Sequence, residues 1–265
     1  MGLLRLIYSL YKGNRVNFRL VLLIFVCFIA FSEICKADNT KMKRTVLIVS
    51  GHVRKPVSSI DHMGAQSYAG IFEHEFNDAI VRYFENKSHQ VTGIRYDVVQ
   101  TSRNIGLRER VEYANRITPD LYLEIHHDAA QTEDIEMAIQ AGENSPLWED
   151  MSGFSVHYSE NNPFPERSKT FAQLFAEEML KNGFKPNLYH ADVEKMMCID
   201  RLKGIYNRID PWGLYVLYNI KSPAVVIECG TIVNPHEEKL LSLEDTRLKI
   251  VHAINRVLVK LFDIK

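Results

Sequence analysis

The sequence predicts an α/β domain: a mostly parallel, twisted sheet with helices on both faces. Three observations lead there. Short apolar runs rich in β-branched residues alternate with stretches whose apolar residues recur at helical spacing. The run PAVVIE (223–228) stays apolar until its last residue, as a strand buried on both faces does. No internal repeat and no Gly/Ser linker divides the chain, so residues 38–265 read as one domain, and about 225 residues suffice for a sizeable core.

Each element follows from local pattern. TVLIVS (45–50) is a short β-branched strand. Phe76, Ala79, Ile80, Tyr83 and Phe84 recur at helical spacing, and QVTGIR (90–95) reads as the next strand. Leu107 to Arg116 is helical, with Leu107, Val111 and Ala114 on one face and Pro119 as its stop. LYLEIH (121–126) and GFSVHYS (153–159) are strands. Ser168 is placed to cap a helix carrying Phe171, Leu174, Phe175 and Met179 that ends near Gly183. Ile250, Ala253, Ile254, Val257, Leu258 and Leu261 form a C-terminal amphipathic helix. Residues 131–152 are polar and acidic and read as a loop or excursion inserted between two strands. A second loop-rich stretch runs from Asn187 to Trp212.

The N-terminus reads as a targeting segment. Arg5, Lys12, Arg15 and Arg19 precede a continuous apolar run, Leu20 to Ser32. That run falls short of the roughly 20 residues of a membrane span and fits a secretory signal peptide. Cys35-Lys36-Ala37 offers a cleavage site, giving a signal peptide at 1–37 and a chain starting at Asp38. An uncleaved anchor is the alternative. Removing five basic residues and one acid from a chain of net charge −1 leaves a net of −5. Such a domain lacks the basic footprint of a nucleic-acid binder, and after cleavage it has no membrane segment. Export places it in the periplasm or outside the cell. Cys198 and Cys229 remain, either as a disulfide or as buried free thiols.

In an open α/β sheet, sites form beyond the carboxyl ends of the strands. Three predicted strands end in reactive side chains: Gly51-His52, His126-His127-Asp128 and Glu228-Cys229-Gly230. Glu73, Glu75 and Asn77 open the first helix. Two histidines and a carboxylate meeting at one edge suit a catalytic zinc site, which uses three protein ligands and keeps a position open. Neighbouring residues of a strand face opposite ways, so only one of His126 and His127 can enter such a site. Glu228 ends an apolar strand, where an unpaired carboxylate is costly.

These residues resemble the zinc-dependent N-acetylmuramoyl-L-alanine amidases of bacterial cell walls, the type-3 amidase domain. The resemblance runs from about Thr45 to Leu261 in four blocks: VLIVSGH (46–52), Glu73-His74-Glu75-Phe76-Asn77, Leu107 to Val111 with LYLEIHHDA (121–129), and YVLYNIKSPAVVIECGTIVNPHEEKLL (215–241). It assigns the zinc ligands to His52, Glu73 and His126, and the catalytic role to Glu228. Val53 stands where the family usually has glycine, Asp128 where it has asparagine, and Gly230-Thr231 where it has Gly-Phe. The 131–152 insertion is longer than the family's pattern. The resemblance implies hydrolysis of the amide joining N-acetylmuramic acid to L-alanine in peptidoglycan, with Zn2+ as cofactor and Glu228 as general base and acid. It leaves any activator protein undefined. The alternatives are a zinc peptidase or deacylase of similar fold and a non-catalytic wall-binding module. Asn77 or Asp128 is expected to orient ligand histidines. Arg110 is open between structural pairing and substrate binding.

Overall fold

The structure is a computed structural model that describes residues 43–192, 196–209 and 214–264. The leader expected over 1–37 lies outside these residues, as does Trp212. Seven strands form one sheet in the order β2-β1-β3-β7-β4-β6-β5. Its first four members are β1 (Arg44–Ser50), β2 (Ile94–Val99), β3 (Leu121–Asp128) and β7 (Ala224–Thr231). They pair in parallel, so the carboxyl ends of β1, β3 and β7 lie side by side. The other half is mixed. β4 (Ser155–Tyr158) joins β7 antiparallel, β6 (Ile205–Asn207) runs parallel to β4, and β5 (Met197–Asp200) closes that edge antiparallel to β6.

Eight α-helices occur among the described residues: α1 (Glu73–Val81), α2 (Leu107–Ile117), α3 (Thr132–Ala141), α4 (Leu147–Asp150), α5 (Pro165–Lys181), α6 (Tyr215–Asn219), α7 (Pro235–Leu241) and α8 (Glu244–Leu261). Helices α1, α5 and α8 cover one face of the sheet through Phe76, Ile80, Phe171, Phe175, Ile254 and Leu258. Helices α2 and α6 cover the other through Val111, Ala114, Val216 and Leu217. Burial of each large aliphatic side chain contributes roughly 1.5–3 kcal/mol. Helix propensities differ by less than about 1 kcal/mol per residue, so the apolar stripe of α8 decides its placement. No helix among the described residues is long and apolar enough to cross a membrane.

Four local readings are corrected. The strand expected over 90–95 begins only at Ile94, because Gly93 takes a left-handed turn (φ 91°) just before pairing starts opposite Arg44. Ser168 is not a cap. Helix α5 starts at Pro165, whose fixed φ and missing N–H suit a first helical position. Ser168 sits one turn in, where its hydroxyl donates to Phe164 O and accepts from Ala224 N. The expected 131–152 loop holds α3 and α4, which close over a small core of Ala138, Trp148 and Met151. The loop-rich stretch after Asn187 contains the β5–β6 pair. Cys198 on β5 and Cys229 on β7 are free, with β4 and β6 between their strands.

Candidate metal centre

The parallel half of the sheet delivers its side chains to one edge. His52 follows β1 in a left-handed conformation (φ 65°), uncommon for a residue other than glycine though tolerated by histidine. Glu73 opens α1, where the helix dipole favours a carboxylate. His126 stands near the end of β3. One donor atom from each lies within 4.8 Å of the others. Glu73 joins them: its Oε2 lies 2.7 Å from His52 Nε2 and its Oε1 2.9 Å from His126 Nδ1. Two glycines make the approach possible. A Cβ on Gly51 would come 2.3 Å from the His126 ring, and one on Gly64 (φ 87°) would come 2.5 Å from Glu73 Cβ.

The carboxylate of Glu73 is tied down from several sides. Ala65 N donates to Oε2, while His127 N and Asn77 Nδ2 donate to Oε1. Asn77 Nδ2 also donates to Gly51 O. The Asn77 Oδ1 must therefore accept, so His127 Nδ1, 2.7 Å away, carries a hydrogen. Burial pushes the His127 pKa down to about 3 and keeps it neutral. His127 points to the α1 face, against Phe76, while His126 points to the opposite face, as strand alternation requires.

Charge is distributed unevenly over the cluster. Burial tends to raise the Glu73 pKa, but His52 and His126 hold it well below the usual carboxylate range. Burial lowers the His52 pKa despite Glu73. For His126, burial is overridden by Glu124 and Glu73, which raise its pKa well above the ordinary imidazole value. Ionised Glu73 between two imidazoles is a donor set that suits zinc, which takes both histidine nitrogen and carboxylate oxygen.

Glu228 occupies the position beside His126 on the neighbouring strand. Its Oε2 is buried with no hydrogen-bond partner among the described residues. Burial raises its pKa well above the carboxylate range, and Asp128 and Glu73 add to this against the pull of His126. A buried carboxyl group whose proton affinity is raised in this way is a candidate for proton transfer. The cluster opens into a cleft of about 410 Å³ that also reaches His62, Leu107, Leu214 and Asp128. A larger cavity of about 580 Å³, under α3 and α4 beside Lys185 to Tyr189, carries none of the clustered residues.

The two expected orienting residues act elsewhere. Asn77 holds Glu73 and His127, and Asp128 Oδ1 lies 3.1 Å from His190 Nε2. The carboxylate behind His126 is Glu124, 3.4 Å from Nε2. Nothing in the reading of the sequence singled it out, although it lies two residues before His126 and so on the same face. Arg110 settles into structural pairing: its Nη1 lies 2.5 Å from Glu124, and Tyr122 OH donates to the same carboxylate. Burial works against ionising Glu124, yet Arg110 above all holds its pKa down to about 2. Its contribution to stability is present above the unfolded value near 4.5 and is lost as pH falls towards 2. Arg110→Ala is expected to strand this buried charge and cost roughly 3–5 kcal/mol, measured by urea unfolding at neutral pH. A loss under about 1 kcal/mol, within the range of exposed pairs, would show that the pair is not buried as described.

Comparison with known proteins agrees with this geometry. Residues 46–260 match the amidase_3 family, described as N-acetylmuramoyl-L-alanine amidase. The N-acetylmuramoyl-L-alanine amidase of Clostridium difficile 630 has a TM-score of 0.60 at 23% identity over 84% of this chain and 99% of that one. Ami1 of Mycobacterium smegmatis gives 0.62 at 20% over 84% and 98%. The catalytic domain of CwlV from Bacillus (Paenibacillus) polymyxa gives 0.58 at 20% over 84% and 99%. At such identities these likenesses carry the fold. No curated protein matches the chain. The family match spans most of the chain and falls on the same strands and helices that build the cluster, so the chain belongs to the N-acetylmuramoyl-L-alanine amidase family and is an enzyme of that activity.

Proposed function

We propose that this amidase hydrolyses the bond between N-acetylmuramic acid and L-alanine in peptidoglycan with one zinc ion held by His52, Glu73 and His126, and with Glu228 as general base and then general acid. The observation that carries this reading is the convergence of three donor atoms within 4.8 Å, with the Glu228 strand position directly beside His126. Zinc held there supplies Lewis acidity to the substrate carbonyl and to water. The chain's residues supply the proton path. Glu228 accepts a proton from the water that attacks the amide carbon, and delivers it to the departing nitrogen of L-alanine. Glu124, anchored by Arg110, fixes the His126 ring from behind, as carboxylates behind ligand histidines do.

The purified domain is expected to hold about one zinc per chain and to release peptides with a free L-alanine amine from purified peptidoglycan. A chelator is expected to abolish release and to lower the unfolding midpoint, because the ion joins residues far apart in the chain. Full activity and an unchanged midpoint in metal-free protein would overturn the zinc reading. Release of other products would overturn the bond assignment.

The basic lead and short apolar run support export to the periplasm or beyond. Mass analysis of the chain from its native host is expected to find an N-terminus close to Asp38. A full-length, membrane-held chain would show an anchor instead.

A further inference from the structure

The face of the sheet that carries His126 also holds a second polar group, on β4. Strand register aligns His126 with Glu228, and Glu228 with Ser155. Two residues along, Val226 lies between Glu124 and His157, and His157 lies opposite Tyr206. Residues paired across antiparallel strands project to the same face with Cβ atoms about 4.5–5.5 Å apart. Glu228 therefore has His126 on one flank and Ser155 on the other. Ser155 and His157 are 1% and 3% exposed, and Ser155 Oγ lies 2.9 Å from His157 Nε2. The His157 ring is stacked on Tyr206, with centroids 5.1 Å apart. Tyr206 OH is itself fixed by donating to Asn187 O.

The hydrogen on this pair can be placed. Burial first, with the charges of Arg208, His190 and His126, holds the His157 pKa well below the ordinary value. The ring is neutral and carries one N–H. Its Nδ1 has no partner among the described residues. A stranded N–H is rarer in protein interiors than an under-used acceptor, so the hydrogen sits on Nε2 and is donated to Ser155 Oγ. Ser155 then accepts, and its own hydroxyl hydrogen is left to give. Across one strand lies Oε2 of Glu228, buried and without a partner among the described residues.

We propose that Ser155, oriented by His157, is a positioning residue that donates a hydrogen bond to Glu228 and holds its carboxylate towards the cleft. The proposal rests on the reading of Glu228 as the general base. It gives the buried serine and histidine of this strand a use: His157 satisfies Ser155, and Ser155 keeps a hydroxyl hydrogen for the neighbouring carboxylate, on which the charges of His126 and Arg208 also pull. A misplacement of about 1 Å can cost on the order of 100-fold in rate.

The test is a double-mutant cycle on the zinc-loaded enzyme with peptidoglycan fragments. Ser155→Ala is expected to lower kcat roughly 10- to 100-fold while KM and zinc content stay near the parent's and the unfolding midpoint drops modestly, because the His157 N–H loses its acceptor. Ser155→Thr, which keeps the hydroxyl, is expected to recover most of the loss. His157→Gln, which keeps an N–H donor, should retain more activity than His157→Leu. In a Glu228→Gln background, Ser155→Ala should add little, because the group it positions is gone. A kcat within twofold of the parent for Ser155→Ala, or full additivity with Glu228→Gln, overturns the proposal. Loss of zinc in Ser155→Ala also overturns it, by showing a structural role. Should Glu228→Gln alone be fully active, the base reading fails and this proposal falls with it. An inactive Glu228→Gln beside a fully active Ser155→Ala removes only the proposal.

Discussion

His126→Ala is expected to empty the centre of zinc and abolish activity, while His127→Ala keeps the ion. The two residues are adjacent in sequence and both are largely buried, so composition does not separate them. Strand geometry does. The His126 imidazole faces Glu73 and His52 on the cleft side, with Nδ1 2.9 Å from the Glu73 carboxylate. The His127 ring lies on the other side of β3 and meets Asn77 and Phe76. Its removal leaves Asn77 Oδ1 without its donor and opens space beside α1, which costs about 1–3 kcal/mol for the unmet polar group alone. Its link to Glu73 runs through Asn77 and through its own backbone N–H, and the backbone N–H survives substitution. Metal analysis of gel-filtered protein, with urea unfolding in parallel, separates the two outcomes. Zinc lost from the His127 variant and kept by the His126 variant would move the strand by one residue and overturn the site.

The parallel half of the sheet was legible in the sequence apart from the bounds of β2, and of the mixed half only β4 was. β1, β3 and β7 announce themselves as apolar β-branched runs that end in polar residues, which is how strands buried on both faces and open at the carboxyl edge appear. The short strands β5 and β6 carry alternating or mixed side chains, and they form on edges supplied from elsewhere: β6 on that of β4, and β5 on that of β6. Helices α3 and α4 bury little beyond Ala138 and Trp148, so their periodicity is drowned by exposed acids. Within the site, the residues at strand ends stood out by position. Glu124 did not, because a carboxylate inside LYLEIH shows its worth only when Arg110 and Tyr122 arrive from elsewhere in the fold. The alignment of His126, Glu228 and Ser155 is a matter of register between strands far apart in the chain, and no local pattern encodes it.

These buried polar groups also explain a division of labour around the cleft. Glu73 and Glu124 are ionised because histidines and Arg110 surround them. Glu228 is buried, its Oε2 has no hydrogen-bond partner among the described residues, and burial raises its proton affinity against the pull of His126 and Arg208. Three carboxylates on one edge of a sheet thus differ in charge: Glu73 and Glu124 are held ionised, and Glu228 is held with raised proton affinity, as the proposed proton-transfer role requires.

Glu228→Gln tests that division. The amide keeps the size of the side chain and can still form hydrogen bonds, but it cannot take a proton. General acid–base catalysis contributes about 10²–10⁴ in rate, so kcat is expected to fall by roughly that factor, or about 3–5 kcal/mol of barrier. Zinc content is expected to stay near one per chain, and wall fragments should still bind, because the three ligands and the cleft are untouched. Stability gives an independent check. A neutral amide is cheaper to bury than an unpaired carboxylate. With folded-state pKa raised above the unfolded value, Glu228 lowers stability increasingly as pH rises past the ordinary carboxylate range towards that raised value. In metal-free protein the variant should therefore be at least as stable as the parent at neutral pH, and their difference should close as pH falls below about 4.5. Turnover, zinc analysis and urea unfolding on the same preparations decide the matter. A variant that loses zinc makes Glu228 a ligand or a structural partner, and one that turns over as fast as the parent assigns the base to another group.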